Sequence, residues 1–351
     1  MLSKSLLLSL FSKPEMIPTR NGYGEGLLEL GEKNPDVVVL TGDVAESTRV
    51  LDFAKKFPDR FIECGVAEQN MMGIAAGLAA AGKIPYVSSY AVFSPGRNWD
   101  QLRVSVCISN LNVKIAGAHT GVSVGPDGAT HQALEDVAIT RVLPNMTVVV
   151  PCDSFETKKV TLAAASHKGP VYFRFTREKT PVMTADKTPF EIGKAEIFFD
   201  SIGGEPSPDS QHKPYTNSVE KVSAKNGRVG IIACGPLVYE ALVAAKELEG
   251  SGIGTIVVNN HTVKPMDEET ITKIAKRTGA VVTVEEHQVM GGMGSAVAEV
   301  LAKNCPVPME FIGMQNSFGE SGQPDELLEK YKMKSKDVVN ACKKALSRKT
   351  D

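Results

Sequence analysis

The 351-residue sequence has no apolar run of the ~18 residues that a membrane span needs. It has no block of like charge. Its 39 Lys and Arg stand among 41 Asp and Glu, for a net charge of −2. This removes any electrostatic case for nucleic acid or an anionic membrane surface. Six cysteines, at 64, 107, 152, 234, 305 and 342, include no C-x-x-C pair. They read as reduced, buried thiols of an intracellular chain, not as staples or zinc ligands. Two Gly-rich turns, "ACGPLVYE" and "MGGMGSAV", lack the Lys-Ser/Thr ending of a P-loop and the Rossmann spacing. Close strand–helix packing is their plain meaning, with phosphate binding as the alternative.

What is present suits about two globular domains. Short apolar runs at 37–43, 86–90, 113–119, 147–151 and 171–175 read as strands. Helical patterns at 21–33, 68–81, 97–109, 131–142 and 154–168 alternate with them. Strands apolar on both faces and separated by helices predict an α/β fold with parallel sheets in three layers. Residues 16–190 form one such domain and 228–351 a second, smaller one. Residues 1–15, "MLSKSLLLSLFSKPE", read as a leader or disordered extension. The Ser-, Pro- and Gly-rich stretch 200–227, within a linker at 191–227, reads as a flexible insertion.

In parallel α/β sheets, functional residues belong past the carboxyl ends of strands. Asp43, Tyr90, His119 and Arg177 all fall there. Glu68 heads an Ala-, Gly- and Met-rich helix, "GVAEQNMMGIAAGLA". The helix dipole favours its ionised form and the apolar surroundings its neutral form. From position alone it is either a helix cap or a working acid. In "HTGVSVGPDGATHQALED", His119 and His131 flank a Gly-rich loop carrying Asp127. These are polar contacts for a polyol or phosphate, general acid–base groups, or structural histidines. Their spacing does not suit a metal. Tyr90 and Phe93, in "SSYAVF", offer ring faces to a flat heterocycle or simply fill a core.

Taken together, "GVAEQNMMGIAAGLA", "SSYAVF", "GPDGATHQALEDVAITRVLPNMTVVVPCD" and "GPVYFRFTRE" resemble the pyrimidine-binding domain of transketolase. The second domain resembles the transketolase C-terminal domain. The resemblance implies thiamine diphosphate chemistry and ketol transfer between sugar phosphates. It assigns Glu68 to the aminopyrimidine nitrogen, Phe93 to stacking on that ring, Tyr90 to a neighbouring wall, and Val44 to the wedge that bends the cofactor. His119 and Arg177, and with them Arg20 and Ser47, correspond to sugar-phosphate ligands. Asp127 and His131 correspond to groups on the donor's hydroxyls, with His131 also placed among the catalytic residues. One further pocket aromatic of the family appears here as Gly96. The family's "GDG…N" segment, which holds the diphosphate and a Mg2+ or Ca2+ ion, does not occur in this sequence. The resemblance therefore implies the C-terminal subunit of a split transketolase. Its site forms with an N-terminal partner subunit, itself bearing the metal, in an α2β2 assembly in the cytoplasm (an organelle stays open through the leader). Rival resemblances are to deoxyxylulose phosphate synthase, the β subunit of 2-oxoacid dehydrogenases, and a non-catalytic paralogue.

Overall fold

A computed structural model describes residues 1–203 and 227–349. Most of the expected insertion, 204–226, lies outside the described residues.

Among the described residues, the first sheet has seven strands. Their spatial order is Thr262–Lys264, Thr147–Val149, Val171–Phe175, Lys114–Ala118, Ile84–Tyr90, Val37–Thr41 and Phe61–Glu63. Six run parallel and the first is antiparallel. The strands Val37–Thr41, Lys114–Ala118 and Val171–Phe175 are buried along their whole length, as helices on both faces require. On one face, Tyr23 and Leu27 of the helix Thr19–Lys33 join Val160 and Ala164 of Ser154–Ser166 over Val39, Ala116 and Phe173. On the other, Met71, Met72 and Ala75 of Glu68–Ala80 pack with Leu102 and Val106 over Leu40, Val87 and Ile115.

The second sheet runs Met309–Met314, Val281–Gln288, Arg228–Ala233, Gly254–Asn259 and Glu196–Asp200. All neighbours are parallel except the last pair. The mainly parallel three-layer architecture is as the alternation of apolar runs and helical patterns foretold.

Four local expectations change. Residues 1–15 are not loose along their length. Ser3 N–H donates to Phe198 O at 2.8 Å, and Leu6 and Leu10 are buried in the second domain's core beside Phe198 and Phe199. Leucines read as leader-like are apolar surface, and here they find a core. The helix expected at 97–109 is a single turn at Trp99–Gln101 followed by a π-helical stretch, Leu102–Cys107. Phe61–Glu63 adds an edge strand that its mixed composition concealed. Finally, the two domains are stitched together. Thr262–Lys264 leaves the second domain to pair with Thr147–Val149, and Val150 N–H donates to His261 O at 2.7 Å.

Candidate active site

Strand register brings the expected rim residues to one edge. Thr41 pairs with Ser88, Tyr90 with Ala118, and Ala118 with Phe175. The chain beyond each of these points leaves the sheet on the same side. Asp43, Tyr90, His119 and Arg177 therefore share one rim.

Four rings converge there. The His119 and Tyr90 centroids lie 4.0 Å apart and those of Tyr90 and Phe93 6.1 Å. His131 meets Tyr90 at 5.9 Å and Phe93 at 5.5 Å, both edge-on. His119 adopts φ +56°, a left-handed conformation that a non-glycine residue holds only when its surroundings dictate it. Burial, reinforced by Arg20 and Arg177, lowers its pKa to about 3, so the ring is neutral at physiological pH. Its Nδ1 is buried without a partner among the described residues. A buried polar atom left unpaired is costly, so a ligand or water that hydrogen-bonds it is stabilised there.

Beside His119 stands a cationic cluster. Arg177 Nη1 donates to Asp127 Oδ1 at 3.1 Å and to Val124 O at 3.4 Å. Arg20 Nη1 donates to Ser47 O at 2.9 Å, and its Nε is buried and unpaired among the described residues. Burial lowers the Arg20 pKa, and so do the neighbouring charges of Arg49 and Arg177. Arg49 was not foreseen from the sequence. It sits at φ +65° and donates from Nε to Asn21 Oδ1 at 3.1 Å. Three guanidiniums on one rim form an anion-binding surface with the planar geometry that phosphate suits.

Glu68 is the first residue of its helix but not its N-cap. No side chain caps its helix, whose N-cap is Ala67. The carboxylate is 2% exposed and receives Arg97 Nη1 at 2.6 Å. Asn98 Nδ2 bonds the Glu68 carbonyl at 3.1 Å and Ser94 Oγ at 3.0 Å, which ties the Phe93 segment to the Glu68 helix. Val44 is half-buried on the turn after Val37–Thr41, with its carbonyl held by Thr48 N–H at 3.0 Å. Position 96 has no room for the family's aromatic. A Cβ on Gly96 would lie 2.1 Å from Val92 O.

The loop 119–132 is held from below by the second domain. Glu286 Oε1 accepts from Ser123 N–H at 2.6 Å, and a Cβ on Gly121 (φ +84°) would meet that carboxylate at 2.3 Å. Gln132 Nε2 donates to Val122 O at 3.0 Å and to Glu320 O at 2.9 Å. Beneath lie Asp136 and Arg174, 3.1 Å apart, with Tyr172 and His287 against Asp136. Nothing in local spacing announces the contacts of Glu286, Glu320 and His287, because each joins residues more than a hundred positions apart.

A buried acid, a ring face, an unpaired neutral imidazole and a guanidinium cluster thus share one rim of this α/β chain. Its two domains match the transketolase pyrimidine-binding domain over residues 15–183 and the transketolase C-terminal domain over 219–338. The chain belongs to the transketolase family, and a transketolase pyrimidine-binding domain implies thiamine diphosphate as cofactor. It is 44% identical over 323 residues to a putative transketolase C-terminal section from Methanocaldococcus jannaschii, covering 91% of this chain and 93% of that one. It is 40% identical over 330 residues to a 6-deoxy-6-sulfo-D-fructose transketolase subunit from a Clostridium species, covering 94% and 95%. A solved split-gene transketolase, an inactive β4 tetramer, superposes with a TM-score of 0.82 at 43% identity, over 96% of this chain and all of that one. By contrast, the chain spans only 51% of mouse transketolase-like protein 2, at 37% identity.

Proposed function

We infer that the chain is the C-terminal subunit of a two-chain transketolase. It transfers a two-carbon ketol unit from a ketose phosphate to an aldose phosphate. The observation that carries this reading is the rim itself, where Glu68, Phe93 and the unpaired His119 Nδ1 stand beside three guanidiniums. The donor set fits thiamine diphosphate's ring end: a buried carboxylate for a ring nitrogen and an aromatic face for stacking. When bound, that group supplies the carbon nucleophile and the electron sink.

The chain's own residues do the rest. Glu68 holds the aminopyrimidine nitrogen, Phe93 stacks on its face, Tyr90 walls the ring, and Val44 fixes its bend. His119 stays uncharged and offers Nδ1 to a substrate oxygen. Arg177, with Arg20, Ser47 and Arg49, receives the phosphate. Asp127 and His131 orient hydroxyls of the donor, and His131 also moves protons at that end. Asp127 is already joined to Arg177, so sugar and phosphate ends are read by one connected loop.

The diphosphate and its Mg2+ or Ca2+ belong to an N-terminal partner subunit, in a dimer-based α2β2 assembly of the cytoplasm. The near-complete coverage of the two short relatives supports a split arrangement. The guanidinium cluster favours sugar phosphates over the acyl substrates of 2-oxoacid dehydrogenases. Reconstitution with a diphosphate-domain partner tests the reading. Coupled assays should detect turnover of xylulose 5-phosphate with an aldose phosphate and none of pyruvate. Tight thiamine diphosphate binding by this chain alone would sink the two-subunit site.

A further inference from the structure

The seat between Glu68 and Phe93 is filled by the chain itself. The Arg97 guanidinium carbon lies 4.6 Å from the Phe93 ring centroid, and its Nη1 is 2.6 Å from Glu68 Oε2. These are the two contacts that the proposed function gives to the aminopyrimidine: a buried carboxylate and an aromatic face. A guanidinium can make both because it is planar, presents N–H donors in its plane and stacks on ring faces. Lysine, a compact charge, cannot make both in the same way.

The local backbone favours this occupant. Arg97 N–H donates to Phe93 O at 2.9 Å, which sets the side chain one turn from the ring it covers. Gly96 removes the side chain that would otherwise stand next to it, since position 96 is closed by Val92 O. Asn98, on the other side, is buried and anchored to Glu68 O. Arg97 itself is 48% exposed, so it can leave toward solvent without unpacking the core. Glu68 cannot leave, and a buried carboxylate without a partner is costly. An ionised Glu68 is therefore stabilised by a cation or N–H donor beside it.

We propose that Arg97 is the resident occupant of the pyrimidine seat, and that the cofactor's ring binds by displacing it. This rests on the proposed function for the identity of the incoming ring, but not for the occupancy itself. The occupant keeps Glu68 satisfied and the Phe93 face covered until the ring arrives. It also sets a threshold: a ring that cannot replace both contacts does not enter. Apparent affinity then falls by the fraction of molecules whose seat is open.

Two measurements on the full chain and its assembly test this. In the first, Arg97→Ala is titrated with ethylguanidinium and followed by thermal unfolding. A saturable rise in Tm is expected, absent from the parent chain and from Arg97→Ala combined with Phe93→Ala. No such rise overturns the occupancy. In the second, thiamine diphosphate with Mg2+ is titrated calorimetrically into the assembly with the diphosphate-domain partner. Arg97→Ala should bind about tenfold more tightly than the parent, with the seat ~90% closed in the parent. Arg97→Lys, which keeps the charge and loses the planar stack, should fall between. Equal or weaker binding by Arg97→Ala overturns the displacement, and so does an assembly in which ring and Arg97 share the seat. Ethylguanidinium rescue with no thiamine diphosphate binding by either assembly would instead overturn the proposed function, while supporting the occupancy.

Discussion

Each domain buries an acid at the start of a helix, and the two acids are used differently. In the second domain, Glu285 gives its oxygens to the N–H groups of Met293 at 2.7 Å and Gly294 at 2.8 Å, the first turn of Met293–Asn304. In the first domain, Glu68 is as buried but faces a half-exposed guanidinium. The histidines repeat the contrast. His287 Nδ1 donates to Gln288 O at 2.7 Å, and its Nε2 accepts from Ala138 N–H at 3.4 Å. His119 leaves Nδ1 unpaired. Burial lowers the first to about 4 and the second to about 3. Burial and a displaced pKa are thus common to both domains. What differs between the two pairs is the partner: backbone in one domain, side chain or nothing among the described residues in the other.

The largest test of that contrast is Glu68→Ala in the reconstituted assembly. Ketol transfer should fall by ~10²–10⁴-fold, the scale of a lost catalytic acid or base, with circular dichroism unchanged. Full retained transfer would place Glu68 with Glu285 as a structural acid. Next, His119→Ala should lower kcat/KM for the ketose donor about 10²-fold, or about 3 kcal/mol, while His287→Ala leaves it within about twofold and lowers stability instead. Equal effects in the assay would erase the difference between the two histidines.

Glu285→Ala should cost ~2–4 kcal/mol in denaturant unfolding, because two buried N–H groups lose their acceptor. A pH series gives a smaller effect with a defined sign. His119, His261 and His287 all have folded pKa values below the ordinary 6.5, at about 3, 3 and 4, because of burial. The unfolded chain therefore binds protons first, and stability is complete above pH ~6.5 and falls as pH drops toward 3–4. Glu156 and Glu285 act oppositely. Burial raises both to about 7, so their contribution fades as pH climbs from ~4.5 to 7. Urea midpoints from pH 4 to 8 should show both slopes, and His261→Ala should flatten the acid one. Smallest of all, breaking the exposed Glu29–Lys33 pair should change stability by under about 0.5 kcal/mol.

The sheets were legible because runs such as Val37–Thr41 and Val171–Phe175 are apolar on both faces, and only a covered parallel strand tolerates that. The rim was legible because strand ends follow from strand positions. Arg97, Arg49 and Glu286 were not. Each acts through a contact between distant positions, and an arginine in a turn looks like any solvated arginine. The burial of Leu6 and Leu10 was hidden for the opposite reason, since a leucine-rich start looks alike whether it is exported, loose or packed. The broken helix at 97–109 shows a local limit. Its apolar spacing was helical, but the segment is drawn aside where Asn98 and Trp99 bond to Glu68 O and Ile139 O.

The crossing strand Thr262–Lys264 has a consequence for how the molecule is made. As the chain is synthesised from its N-terminus, the first sheet has no occupant for its Thr147–Val149 edge until residue 264 has emerged. Until then that edge is a free template for the wrong neighbour. Once closed, it works as a latch between the halves, so a single protease cut between the two sheets should yield two fragments that still travel as one particle.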